Sequence, residues 1–283
     1  MLAISSIGNR SITALMCLFL LGLSVIETSA SEEPDALDLC VPDQAEWVAV
    51  QGPDADGLFQ SVQGEIFFPT DLSGWFGSMQ EVSDSYLVAE NLEAAPVGPA
   101  NRWGIRPAWV RLGVNDDHSL LQARVLEDGY SVFSPAKAEG QCADVLRAAE
   151  RIARRAERKI WEAGRADLVY ASSALKALEE AAGRHVIVRG RIVSLGKTRS
   201  TLYLNFGNYW KNDFTVTVKT AGVEALETSL ASAGWHLDDL VGQAVEIRGV
   251  IQIWDGPHIE LLNPEQLVVL ENKRAGREGQ NRK

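Results

Sequence analysis

The sequence predicts a mainly β protein with packed helices (α+β), built as two five-stranded barrels in tandem. Short apolar runs alternate with turn-forming glycine and proline residues through residues 47–133 and again through 184–270. A long amphipathic helix over residues 142–163 closes the first group. About 250 residues remain after the N-terminal segment described next, which is enough chain for two domains.

The N-terminal segment has the pattern of a secretory signal peptide. Arg10 precedes an apolar run over residues 12–26, which is shorter than the ~20 residues that span a bilayer. Thr28-Ser29-Ala30 then provides a small-x-small cleavage site. An uncleaved anchor is disfavoured because the acidic string SEEPD follows at once. We predict an exported protein, periplasmic or extracellular, cleaved after Ala30 and without a transmembrane segment in the mature chain.

Cleavage leaves two cysteines, Cys40 and Cys142. In an oxidising compartment such a pair favours a disulfide over two free thiols. The closed loop of about 100 residues would contribute on the order of 4 kcal/mol in the chain-entropy model. Two cysteines and four scattered histidines do not form a metal site, so no metal and no cofactor is predicted.

Charge is distributed unevenly along the chain. Residues 31–101 contain fourteen Asp and Glu residues and no Lys or Arg, whereas basic residues are frequent from Arg102 onward. Residues 31–46 are an N-terminal segment before the first strand. Residues 272–283 are polar, basic and without periodicity, which predicts a disordered tail.

The first barrel is predicted over residues 47–164. Its expected strands and helices, in order, are strands at 47–50, 64–68, 86–90 and 105–112, a helix at 118–126, a strand at 129–133 and the helix at 142–163. One face of the long helix is an alanine-rich stripe that should pack closely on the barrel. Its arginines at 147, 151, 154 and 158 are interpreted as a solvated surface.

Residues 102–161 resemble the C-terminal part of the staphylococcal-nuclease-like (thermonuclease) family. The matching strings are RWGI at 102–105, LLQ at 120–122, GYSV at 129–132 and the Ala-, Arg- and Glu-rich helix ending in Trp161. The resemblance implies an OB-type five-stranded barrel. It also implies a nuclease mechanism in which carboxylates hold calcium and two arginines neutralise the charge developing on the phosphoryl group.

The same resemblance predicts that catalysis has been lost. Phe67 and Ile105 stand where the two arginines belong, and the metal-binding turn is missing. Arg106 is adjacent to Ile105, but a shift of one residue in a strand moves the side chain to the other face. The remaining candidates are Asp54, Asp56, Asp71 and Arg106. They would support a calcium-dependent enzyme only if they converged in a cleft.

The second barrel is predicted over residues 184–271, after a helical connector at 165–183. Its expected order is three strands (184–195, 201–206, 214–218), a helix (223–233) and two strands (244–254, 259–262), after which residues 264–266 lead into 267–270. Three strands, a helix and two strands is the order of an OB fold. Its opening and its ending, with IEL at 259–261 and PEQ at 264–266, resemble bacterial nucleic-acid-binding OB modules.

Basic and aromatic residues are interleaved in this second half, with seven Lys or Arg and one acid between Arg184 and Lys219. Such interleaving is typical of single-strand nucleic-acid binding on OB strands. By alternation Arg189, Arg191, Tyr203 and Asn205 could share one outer face. The candidate binding residues are Arg189, Arg191, Lys197, Arg199, Tyr203 and Trp210. The alternative is a purely structural role, in which the aromatic side chains fill the interior of the barrel and the arginines lie on its outer surface without binding a ligand.

Three functional hypotheses follow. The first is a catalytically inactive thermonuclease-like protein that acts as a binding or interaction module in the cell envelope, with an unknown envelope protein as partner. The second is a nucleic-acid or polyanion binder acting through the second barrel. The third is a divergent metal-dependent phosphodiesterase.

Overall fold

The computed structural model describes residues 35–77, 81–82, 91–114, 117–163, 168–209 and 212–270. The predicted signal peptide, the basic tail, the strand expected at 86–90 and the candidate residue Trp210 lie outside these residues. We call residues 35–163 the first half and residues 168–270 the second half. Within the described ranges, no helix reaches the length and apolarity that a membrane crossing requires.

The first half contains a closed five-stranded barrel. Its strands are β1 (Val48–Gln51), β2 (Phe59–Ser61), β3 (Ile66–Pro69), β4 (Asn91–Pro96) and β5 (Ile105–Val114), and β6 (Asp117–Leu120) extends the sheet beyond β5. Pairing runs β1–β2–β3–β5–β4 and returns to β1. The β3–β5 pair is parallel and the others are antiparallel. This closure confirms the predicted barrel and is compatible with an OB-like fold.

Among the described residues, helices α1 (Ala36–Cys40), α2 (Leu121–Glu127) and α3 (Gly140–Arg155) pack beside this barrel. Leu146, Ala149 and Ala153 of α3 are buried, as the alanine stripe predicted. The helix ends earlier than expected, and a 3₁₀ turn (Lys159–Trp161) follows it. The break coincides with positive φ angles at Glu157 and Lys159, which no helix continues through.

The strand expected at 129–133 is not formed. Gly129 adopts a φ of +79°, and a Cβ built there would come within 2.5 Å of the carbonyl oxygen of Arg158. The segment instead bonds to an irregular loop, because Ser73 and Phe76 donate their backbone N–H groups to Val132 and Tyr130. In place of the predicted strand, the segment forms an isolated β-bridge between Phe133 and Leu72.

The second half contains two sheets around one apolar core. The elements are β7 (Val169–Ala171), α4 (Leu175–Glu180), β8 (His185–Arg191), β9 (Ser194–Lys197), β10 (Thr201–Asn205), β11 (Thr215–Lys219), α5 (Thr220–Ser232), β12 (Ala244–Val250), β13 (Gln252–Ile253), β14 (Pro257–Glu260) and β15 (Leu267–Val269). One sheet has the order β13-β14-β11-β10-β9 and the other β15-β12-β8-β7. Leu204, Phe214 and Val216 from the first sheet meet Val188 and Ile247 from the second.

The two halves belong to one compact unit. Val132 and Ile160 of the first half form an apolar cluster with Ile187 of β8. The arginines of α3 also take part, and here the prediction of a solvated surface is wrong for two of them. The side chains of Arg147 and Arg154 are only 11% and 17% exposed because the second half covers that face of the helix.

Candidate functional site

The two positions at which the resemblance expects catalytic arginines lie on neighbouring strands of the barrel. Phe67 of β3 is fully buried in the barrel core, and Ile105 begins β5 in a half-buried position. Arg106 lies directly opposite Phe67 in the parallel register. Its guanidinium is at the end of the barrel, where Nη1 lies 3.3 Å from Glu65 Oε1 and Nε donates to the carbonyl oxygen of Gly98. The guanidinium of Arg106 is therefore paired with a carboxylate.

Asp71 has a structural role in this fold. It is 2% exposed, and its carboxylate accepts the backbone N–H groups of Ala136, Lys137 and Ala138 and the hydroxyl of Thr70. The residue has a φ of 64°, a left-handed conformation that aspartate tolerates better than most residues. With four donors on two oxygens, this carboxylate is already occupied by the protein itself.

Asp54 and Asp56 lie in the exposed turn between β1 and β2. Asp54 Oδ1 accepts the backbone N–H groups of Asp56 and Leu58 at 2.9 Å each, which is the geometry of a side-chain-stabilised turn. Among the residues that the structure describes, no three His, Cys, Asp or Glu side chains are grouped closely enough to hold a metal ion. The predicted acidic candidates are therefore not brought together as a metal site.

The strongest electrostatic feature is a buried ion network between the halves. Glu246 of β12 accepts from Arg189 at 2.8 Å and from Arg248 at 2.7 Å, and lies 3.3 Å from Arg154 of α3. Arg248 also reaches Glu150 of α3. Burial would raise the pKa of Glu246, but Arg248 and Arg154 outweigh it and lower the pKa to about 2.

The same network perturbs two further groups. Burial would lower the pKa of Arg248, but Glu150 and Glu246 raise it above its ordinary value. Burial, and then the charge of Arg248, lower the pKa of His185 to about 4. His185 Nδ1 is buried and has no hydrogen-bond partner within the described part of the chain. The network therefore keeps its ions charged and His185 neutral near pH 7.

The predicted basic and aromatic residues of the second half do not share one face. Arg189 and Arg191 lie on β8 of the four-stranded sheet, where Arg189 binds Glu246 and Arg191 donates to the carbonyl oxygen of Gly242. Tyr203 and Asn205 lie on β10 of the five-stranded sheet. Because the chain changes sheets between β8 and β9, alternation along the sequence does not place the arginines beside Tyr203.

Lys197 and Arg199 lie near one end of the five-stranded sheet. Lys197 is opposite Leu202 in the register and lines a cavity shared with Glu224 and Glu227 of α5. Arg199 is exposed in the β9–β10 turn. Lys219 ends β11 opposite Thr201 and lies 3.3 Å from Glu260. These cations surround the sheet end without forming a continuous stripe.

The sequence interpretation missed a row of polar side chains on the outer face of this sheet. Tyr203 pairs with Gly196 on one side and Thr217 on the other, and His258 Nε2 lies 2.7 Å from Thr217 Oγ1. Burial lowers the pKa of His258. The signal in the sequence was the period-two string PHIE at 257–260, in which His258 and Glu260 lie on the side of the strand away from the core. Thr217 and His258 are nevertheless covered, with 6% and 4% exposure.

One exposed aromatic side chain lies against this face. Trp254 is 70% exposed in the β13–β14 turn, and its ring meets the His258 ring edge-on, with 5.8 Å between centroids. Tyr209 is 77% exposed in the β10–β11 loop. Tyr203 and Trp254 are the accessible aromatic residues of the candidate binding face of the second half.

No protein-family model matches this chain, and no curated protein matches it.

Proposed function

We propose that this chain is an exported, catalytically inactive thermonuclease-like protein that serves as a binding or interaction module in the cell envelope. The observation that carries the proposal is the complete burial of Phe67 in the barrel core, at the position where the resemblance places a phosphate-neutralising arginine. Removing one such donor costs about 10²–10³ in rate. Loss of both, with Asp71 occupied by four protein donors, leaves too little to stabilise the transition state.

The pairing of the second half supports a second OB-type barrel in tandem with the first. Two residues separate β8 from β9, and one residue separates β12 from β13. If each pair is one bent strand, the observed ladders connect in the order 1-2-3-5-4-1, with β11 and β14 parallel as strands 3 and 5. This is the order expected of an OB fold.

The Cys40–Cys142 disulfide supports export. It confirms the predicted pair across 102 residues of sequence and ties α1 to the first turn of α3. Structural disulfides persist mainly in oxidising compartments. With the signal-like N-terminal sequence, this favours a periplasmic or extracellular location.

The proposal is tested by an activity assay on the mature protein, residues 31–283. Single- and double-stranded DNA and RNA are incubated with it in calcium or in magnesium, and product length is measured. We expect no metal-dependent cleavage. Cleavage that disappears in the Asp54→Asn, Asp56→Asn and Arg106→Ala variants would overturn the proposal, whereas cleavage that these variants retain would indicate a contaminating nuclease.

A second candidate function is binding of single-stranded nucleic acid or another polyanion. It is favoured by the outer face of the five-stranded sheet, where Lys219 on β11 lies diagonally across from Tyr203. Lys197, which is opposite the core residue Leu202, and the exposed Arg199 add positive charge at the same end of the sheet. Aromatic rings that stack on bases contribute about 1–3 kcal/mol per base, and cations add a salt-dependent attraction. The acids Glu224, Glu227 and Glu260 nearby oppose it.

This second candidate is tested with a fluorescent single-stranded oligonucleotide at low salt. If it is right, affinity falls steeply as salt rises, and Tyr203→Ala or the pair Lys197→Glu and Arg199→Glu weakens binding. The pair Arg151→Glu and Arg155→Glu makes the same charge change on exposed positions of α3 and should leave binding nearly unchanged. Absence of binding at low salt removes this function.

A further inference from the structure

A groove of about 690 Å³ lies where the two halves meet. One wall is α5, whose small side chains Ala225, Thr228 and Ser232 face it. The other wall is β15, and the first turn of α3 closes one end. The volume is within the range of sites that bind ligands and peptides.

The backbone of β15 faces this groove with unused hydrogen-bonding groups. Among the described strands β15 pairs only with β12. Leu270 donates its N–H to Ala244, so the alternating antiparallel pattern turns the N–H and C=O of Val269 away from β12 and toward the groove. An exposed strand edge of this kind is a template for another extended chain.

The groove is strongly acidic. Among the described residues, its lining includes four carboxylates, those of Glu139, Asp144, Glu224 and Glu265, and one cation, Arg147. Arg147 is already engaged, because it donates to Asp144 at 3.0 Å and to Glu265. Glu265 is also held by the hydroxyl of Ser229 at 3.2 Å, which fixes that wall. An anionic ligand would be repelled here, and a cationic one attracted.

We propose that this groove binds an extended, lysine- or arginine-containing segment of a partner protein, which adds as a further strand along the free edge of β15. The backbone of Val269 supplies the hydrogen bonds of the added strand, and Glu139 and Glu224 select for basic side chains. The inference deepens the proposed function, on which it rests, by naming the chemistry of a partner. It concerns a surface distant in sequence from Phe67 and from the Tyr203 face.

The test uses the mature protein and a fluorescent nine-residue peptide of alternating lysine and threonine, with the alternating glutamate and threonine peptide for comparison. Fluorescence anisotropy measures affinity, and hydrogen exchange measures protection of the Val269 amide. We expect binding of the lysine peptide alone, with slower exchange at Val269. Equal binding of both peptides, or no change at Val269, overturns the proposal.

Variants separate charge from strand addition. The pair Glu139→Lys and Glu224→Lys should weaken binding about tenfold, because it reverses two charges on the rim of the groove. The matched pair Glu179→Lys and Glu227→Lys makes the same charge change on exposed residues outside the groove and should have little effect. Val269→Pro should also weaken binding about tenfold because it removes the edge N–H, and Val269→Ala, which keeps it, should not.

One further variant distinguishes a partner from this chain's own basic residues 271–283. A chain ending at Leu270 should bind the lysine peptide as the mature protein does. If only the shortened chain binds, the groove belongs to the chain's own tail and the proposed partner is wrong. Nuclease activity in the separate assay would overturn the proposed function without altering any of these binding results.

Discussion

Arg248 and Glu150 form a buried ion pair across the boundary between the halves, with 2.5 Å between Nη1 and Oε2. The two residues are 98 positions apart in sequence, on β12 and α3, and are 3% and 1% exposed. The same Nη1 donates to the carbonyl oxygen of Phe133 at 3.0 Å. The second half is therefore held to the first by charges that water does not screen.

Replacing Glu150 by alanine is expected to destabilise the whole chain by about 3–5 kcal/mol, because it leaves Arg248 buried with one fewer compensating charge. Chemical denaturation followed by far-UV circular dichroism measures the change. Arg151→Ala, at an exposed position of the same helix, is the control and should change the free energy of unfolding by less than about 0.5 kcal/mol. Equal effects of the two substitutions would show that the pair contributes nothing specific.

Stability should fall as the pH is lowered from about 6.5 to about 4, because of His185. Its folded-state pKa is depressed to about 4, so between these values the unfolded chain binds a proton that the folded chain does not. The loss is on the order of 2–3 kcal/mol and is complete below the folded-state pKa. Urea unfolding at several pH values measures it. His185→Gln should flatten the curve in this window, and an unchanged slope would contradict the assignment.

Removing the disulfide should lower the free energy of unfolding by about 4 kcal/mol, because the closed loop is long. The variant Cys40→Ala with Cys142→Ala is compared with wild type in thermal denaturation. Reduction of wild type with dithiothreitol should lower its melting temperature by about as much as the double substitution does. A melting temperature that reduction leaves unchanged would mean that α1 and α3 stay together without the covalent link.

Asp71 should behave as a structural residue. Asp71→Ala leaves one buried and two part-buried backbone N–H groups without their acceptor and is expected to cost about 3 kcal/mol. Asp71→Asn, which keeps one carbonyl oxygen, should cost less. Asp56→Asn, in an exposed turn, is the control and should leave stability unchanged. An Asp71→Ala variant as stable as wild type would return Asp71 to the candidate metal ligands.

Local periodicity correctly predicted strands that have one face in the apolar core and the other face away from it. In β10 and β11, Leu202 and Val216 point into the core while Tyr203 and Thr215 point out, so alternation was sufficient. The strand expected at 129–133 failed because its apolar string is equally compatible with an irregular segment. The positive φ of Gly129 and the hydrogen bonds to residues 73–76 decide between them, and neither is written in a local pattern.

The candidate sites were harder to predict because they depend on which elements face each other. Helical spacing placed Arg147 and Arg154 together on one side of α3, but it carried no information about what covers that side. Likewise, alternation gave the face on which Arg189 lies within its strand. Its partner Glu246 is 57 residues later and belongs to a sheet that does not contain Tyr203.

Because α3 and β12 share buried charges, neither half of the chain can be transferred to another protein without leaving some of these charges unpaired. A recombination event that carried the second half into another protein would separate Arg248 from Glu150. In the recipient protein the buried guanidinium of Arg248 would keep Glu246 but lose Glu150 as a counterion. The donor would keep the buried carboxylate of Glu150 with Arg154 of the same helix, 3.4 Å away, as its remaining counterion. Exchange of one half alone is therefore penalised unless both residues change together, so the two halves are expected to be inherited together.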